Sequence, residues 1–249
     1  MEALPGGRLD FVCPVSPLDK LEIHKEGNLP VEFARAAIVF PTNFHFGSNW
    51  NLLIVSATTD GKASSIYTMR AFTNTASKQN WVVLAADGPQ GKPRLDYPIW
   101  RFTMIKSALN QLHKTWPVST NWNLALGGFS GGAKWSGLMA PALFKSFPKI
   151  TGVFMGGCNE DRVSDGCRIF HPAQKFLETK IFLSGGLQDR VATPSDHERV
   201  GGNIKKTGFG QLRLKMYDGG HQLWKPHLEE AMGWFAGNTN HPINTISKD

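Results

Sequence analysis

The stretch Leu124-Ala125-Leu126-Gly127-Gly128-Phe129-Ser130-Gly131-Gly132-Ala133-Lys134-Trp135-Ser136-Gly137 sets a serine among glycines where one structural pattern gives way to another. Leu124 to Leu126 is apolar throughout, as expected of a strand buried on both faces. The small residues after Ser130 suit a helix packed tightly on a sheet, with Ser136 and Gly137 permitting close approach. Gly128-Phe129-Ser130-Gly131-Gly132 is therefore a G-x-S-x-G motif in a strand–turn–helix context. So tight a turn leaves no room for β-carbons at Gly128 and Gly132, and it lifts the serine Oγ above the sheet. Gly131, the next residue, can lend its backbone N–H to a developing oxyanion. Gly127 to Gly132 also has the spacing of a phosphate-binding loop. However, Ala133-Lys134 stands where that loop needs Lys followed by Ser or Thr, and no G-x-G-x-x-G fingerprint occurs.

Working outward, short apolar runs alternate with segments of helical period. The runs at Arg35–Phe40, Leu52–Ala57, Trp81–Ala85, Asn123–Leu126, Gly152–Met155, Lys180–Leu183 and Arg213–Tyr217 read as strands. Phe102, Ile105, Leu109 and Leu112 fall on one helical face. A second helix is expected from Thr193-Pro194, with Thr193 as cap and Asp196 at the positive helix end. A third starts near Pro226, with Leu228, Ala231, Met232 and Phe235 on one face and Gly237 as its stop. This alternation predicts an α/β fold: a mostly parallel central sheet with helices on both faces. No linker or repeat divides the chain, so residues 1–249 read as one domain, with a polar tail at 238–249 expected to fray.

Two further segments repeat the strand-then-glycine-turn pattern. One is Lys180-Ile181-Phe182-Leu183-Ser184-Gly185-Gly186-Leu187-Gln188-Asp189-Arg190-Val191, and the other is Arg213-Leu214-Lys215-Met216-Tyr217-Asp218-Gly219-Gly220-His221. With Ser130 they give the order serine, aspartate, histidine, separated by 59 and 32 residues. In this order and context the chain resembles the α/β-hydrolase superfamily. The resemblance implies that Ser130 is a nucleophile, His221 its general base, and Asp189 the group that orients the imidazole. Glu160 or Asp161, after an earlier strand, is the rival acid. The superfamily takes its second oxyanion donor from the loop after the third strand, here Thr58 or Thr59. Many members have His-Gly at that point and this chain has Ala57-Thr58, though a backbone N–H serves whatever the side chain. Leu52 to Gly88 resembles the third and fourth strands of secreted esterases of the polyhydroxybutyrate-depolymerase and feruloyl-esterase type, a likeness carried by Trp81 to Gly88. Trp135 and Trp224 are candidate walls of an acyl or aromatic pocket, or simply packing, and the long connection from Cys158 to Thr179 is a candidate cap.

Composition agrees with this reading. The hydrophobic fraction of 41% supports a core, and no apolar run reaches a membrane span. The formal charge is +7, but the basic residues are scattered, so no nucleic-acid partner is expected. No H-x-H, H-E-x-x-H or C-x-x-C occurs, so neither a metal nor another cofactor is expected. Met1-Glu2-Ala3-Leu4 has no signal-peptide character. Cys158 and Cys167, nine residues apart, are either a bridge or two free thiols; the first leans towards a secreted or periplasmic protein whose signal is absent from this chain. The expected activity is hydrolysis of a small or polymeric carboxylic ester. A serine peptidase, a thioesterase, or a non-catalytic binding module on the same scaffold are the alternatives. A histidine base must be neutral, and imidazoles titrate near ~6.5, so activity is expected to rise towards neutral pH.

Overall fold

The computed structural model of the chain describes residues 4–27, 31–58, 64–89 and 97–237. The polar tail and Thr59 lie outside the described residues. Among the described residues eight strands form one sheet: β1 (Arg8–Pro14), β2 (Phe33–Val39), β3 (Asn51–Ser56), β4 (Trp81–Asp87), β5 (Asn123–Phe129), β6 (Ile150–Gly156), β7 (Lys180–Gly186) and β8 (Leu212–Tyr217). Their order is β1-β2-β4-β3-β5-β6-β7-β8. The pairs β1–β2 and β2–β4 are antiparallel, and all later pairs are parallel. The helices are α1 (Pro17–Gly27), α2 (Ser65–Thr68), α3 (Arg70–Lys78), α4 (Pro98–Thr115), α5 (Gly131–Phe144), α6 (Arg162–Phe170), α7 (Pro194–Thr207) and α8 (Lys225–Phe235).

Strand alternation sorts the side chains into two cores. Leu52, Ile54, Val82, Leu84, Val153 and Met155 face one layer, with Ile105 and Leu109 of α4 and Val200 and Ile204 of α7. Their neighbours Leu53, Val55, Val83, Phe154 and Phe182 face the other, with Phe72 of α3 and Leu228, Met232 and Phe235 of α8. Both faces are thus covered, which is why these strands read as unbroken apolar runs. The seven expected strands are present within a few residues of their expected limits. The expected helix starts hold as well: Thr193 and Asp196 form a reciprocal capping box at α7.

β1 escaped the reading of the sequence. It is an edge strand whose residues are mostly exposed or half-buried, so it lacks the apolar signature sought. Of the two alternatives for Cys158 and Cys167 the structure has the free thiols rather than the bridge, and Cys13 is free as well. The buried Cys158 Sγ instead donates to the Glu160 carbonyl at 3.1 Å, and helix α6 then carries the chain on to Cys167. Burial pushes the Cys158 thiol up to about 12. The connection from Cys158 to Thr179 is no free-standing cap either. It contains α6, which packs so closely on α5 that a β-carbon at Gly166 would lie 2.5 Å from Pro141 and 2.9 Å from the Leu138 carbonyl. Among the described residues no helix is long and apolar enough to cross a membrane.

Candidate active site

The chain passes from β3 to β4 on one side of β3 and then crosses to β5 on the other, so the strand order reverses between β3 and β5. Parallel α/β sheets bind ligands outside the carboxyl ends of strands at such a switch point. Ser130 sits there, directly after β5, with Ser56 of β3 in register with Gly128.

Ser130 has φ 55° and ψ −124°, a left-handed conformation that is unusual for a residue with a side chain. Such strain costs about 1–3 kcal/mol and persists only where the surroundings impose it. Here they do. A β-carbon at Gly128 would lie 2.2 Å from the Gly132 carbonyl group, and one at Gly132 would lie 2.2 Å from the Ser56 carbonyl oxygen. The turn therefore closes only with glycine at both places. Ser130 N–H donates to the Gly156 carbonyl at 2.8 Å, and the Ser130 carbonyl accepts from Ala133 at 3.0 Å as α5 begins.

The second and third glycine turns meet each other. A β-carbon at Gly186 would lie 2.3 Å from the Gly219 carbonyl oxygen, and Gln188 N–H donates to that same oxygen at 2.9 Å. The ends of β7 and β8 thus touch backbone to backbone, which brings Asp189 beside His221. The His221 Nδ1 lies 2.7 Å from Asp189 Oδ2, and its Nε2 lies 3.0 Å from Ser130 Oγ. A carboxylate acceptor on Nδ1 keeps the ring proton there and leaves the Nε2 lone pair for the serine hydroxyl. The other carboxylate oxygen, Oδ1, accepts from Val191 N–H at 2.8 Å and Ala192 N–H at 2.9 Å. Asp189 is only 3% exposed. Burial pushes its carboxyl up, but the hydrogen bonds from Ala192, His221 and Val191 together outweigh it and hold the group below the ordinary range.

The rival acids are spent elsewhere. Asp161 Oδ1 caps α6 by accepting from Ser164 N–H at 3.1 Å, and Glu160 pairs with Lys134. Trp135 is buried on α5, with the Arg101 guanidinium 4.8 Å from its ring centroid. Trp224 precedes α8 and stacks on Tyr217 at 5.0 Å, which covers one of its faces. Gly131 opens α5, and Thr58 follows β3. Ala57 N–H donates to Ser65 Oγ at 3.1 Å.

Two residues at the site were missed from the sequence. The Phe129 ring lies 4.7 Å from the His221 ring. Gly157, at φ 57°, lies where a β-carbon would come within 3.0 Å of His221 Cε1. Phe129 occupies the variable place of the motif, so only its aromatic character was there to notice. Gly157 directly follows β6, as the glycine turns follow β7 and β8, and that was the available signal. Among the described residues no group of three His, Cys, Asp or Glu side chains could hold a metal ion. A cavity of about 250 Å³ opens at the opposite end of β5, lined by His113, Trp122, Phe147 and Lys149, and shares no residue with this site.

The sequence matches no protein-family model, and no curated protein sequence is similar to it. Solved structures do resemble it. An esterase of Pyrococcus furiosus superposes with a TM-score of 0.61 at 16% identity, covering 93% of this chain and 92% of that one. One of two fungal esterases of Rhizomucor miehei gives 0.63 at 13% identity, over 95% and 84%. An alpha-beta serine hydrolase homologue of Coxiella burnetii gives 0.57 at 14% identity, over 93% and 97%. With its mostly parallel eight-stranded sheet, helices on both faces and these neighbours, the chain has the α/β-hydrolase fold.

Proposed function

We propose that the protein is a serine hydrolase that cleaves carboxylic esters through an acyl-enzyme on Ser130. The observation that carries this reading is the unbroken hydrogen-bonded chain Ser130–His221–Asp189 on a strained elbow at the sheet's switch point. Esterases among the structural neighbours support the same class of chemistry.

The steps follow from that geometry. As Ser130 Oγ attacks the ester carbonyl, its proton passes to His221 Nε2, and Asp189 stabilises the imidazolium that forms. The carbonyl oxygen becomes an oxyanion, met by the N–H groups of Gly131 and Thr58. Ala57 N–H is already committed to Ser65 Oγ, which favours Thr58 as the donor from the β3 end. Collapse expels the alkoxide, which takes the proton from His221. Water then attacks the acyl-enzyme with His221 again as base, releasing the acid and restoring Ser130. Trp224, with one face left uncovered by Tyr217, is assigned to the wider acyl pocket and Phe129 lies beside the base, whereas Trp135 belongs to the core.

A panel of nitrophenyl esters, thioesters and peptide anilides tests the reading. Ester turnover well above that of the other two classes is expected. Preferential thioester or anilide cleavage would move the assignment to thioesterase or peptidase, and no turnover of any of them would leave the binding-module reading.

A further inference from the structure

Arg101 is absent from the chemistry above, yet it grips the segment expected to hold half of the oxyanion site. Its Nη1 donates to the Ala57 carbonyl at 3.1 Å and its Nη2 to the Thr58 carbonyl at 2.9 Å. A guanidinium is a planar fork, so two successive carbonyls held by its two ends are fixed in orientation as well as position. The fork is itself supported. Its Cζ lies 4.8 Å from the Trp135 ring centroid, against α5, the helix that starts at the elbow. Arg101 belongs to the first turn of α4, and the preceding Trp100 fills the space beside Gly88, where a β-carbon would lie 2.3 Å from the indole.

The opposite side of the segment is anchored independently. Ala57 N–H donates to Ser65 Oγ at 3.1 Å, while Ser65 N–H donates to Asp87 Oδ1 at 2.8 Å. Just upstream, the Ser56 carbonyl is pressed against Gly132. In a trans peptide the C=O and N–H point in opposite directions. Holding the Ala57 carbonyl therefore also sets the direction of Thr58 N–H, away from the guanidinium. A cation on the carbonyl side draws electron density from the amide and makes its N–H a stronger donor.

We infer that Arg101 is a positioning residue that orients and polarises the Thr58 N–H for the oxyanion. This rests on the ester-hydrolysis reading and deepens it. Arg101 does not touch the reacting atoms; its effect reaches them through the Ala57–Thr58 peptide. Transition-state stabilisation should then depend on it, and ground-state binding should not.

The test compares Arg101→Met and Arg101→Lys with the wild type in two assays. One is steady-state hydrolysis of a nitrophenyl ester. The other is inhibition by an aryl trifluoromethyl ketone, whose serine adduct carries an oxyanion. Arg101→Met should lose about 10- to 100-fold in kcat, somewhat less than outright loss of a donor, with KM within about twofold. Its inhibition constant should rise in step with the loss in kcat/KM. Arg101→Lys, which can hold one carbonyl but supplies no fork, should fall between the two, and it carries the test should the methionine variant not fold. A folded Arg101→Met or Arg101→Lys with wild-type kcat and wild-type ketone affinity overturns the inference, as does a kcat loss with unchanged ketone affinity. A wild type that hydrolyses no ester and binds no ketone overturns the hydrolase reading itself, and this inference with it. An active, Ser130-dependent wild type beside an equally active Arg101→Met overturns the inference alone.

Discussion

Ser130, Asp189 and His221 each stand just past a strand, within three residues of a glycine, and each was legible because glycine at such a place has a local reason. Ser130 needs Gly128 and Gly132 to close its turn, and Asp189 and His221 need Gly186 to let two strand ends touch. Arg101 was not legible. Its importance comes from carbonyls 44 and 43 residues away, a tertiary fact with no local mark. Two predictions belong at this scale. Asp189→Asn keeps the shape but presents an amide to His221, so the imidazole loses the partner that fixes its tautomer. Turnover should fall by about 10⁴-fold with the thermal midpoint little changed, read by ester hydrolysis beside calorimetry. Gly132→Ala would drive a β-carbon into the Ser56 carbonyl, a backbone atom that cannot rotate away. It should destabilise by about 1–3 kcal/mol, as overpacking does, and cost activity as well, because the displaced strand end carries Thr58. A denaturant melt checks the first effect, and full activity in a folded variant would contradict the second.

The elements show where a reading by apolar runs works and where it stops. Strands buried on both faces announce themselves, whereas β1, with Arg8 and Asp10 paired on its exposed side, does not. The helix after the His221 turn carries a second, structural histidine. His227 Nδ1 lies 2.9 Å from Ser184 Oγ, a buried tie from α8 to β7. Burial is the main cause that lowers its pKa to about 4 from the ordinary 6.5. The folded state therefore holds His227 neutral at pH values where the unfolded chain has already taken up a proton. This contribution to stability is fully present above about 6.5 and is lost as the pH falls from there towards 4. At its largest it is on the order of 3 kcal/mol, from about 1.4 kcal/mol per pKa unit. The urea midpoint of the wild type should decline across that window, and His227→Phe should flatten the slope. An equal slope in both proteins would assign the acid sensitivity to other groups.

At the scale of the molecule, strand–helix alternation was enough to predict a mostly parallel sheet covered on both sides, and the structure has it. The loop proposed to carry the second oxyanion donor could be placed from the sequence only as a region, because what holds it is Arg101 of α4 meeting the end of β3. The fold by itself does not choose a reaction; that choice rests on whether Ser130 is a nucleophile activated by its neighbours. The direct measurement is labelling of the native protein with a fluorophosphonate probe, followed by peptide mapping, in the wild type, Ser130→Ala and His221→Ala. A single adduct on Ser130 is expected, with none in Ser130→Ala and labelling slowed by orders of magnitude in His221→Ala, because the serine hydroxyl is a poor nucleophile without its base. An adduct mapped elsewhere, or undiminished labelling when either residue is removed, would contradict that expectation.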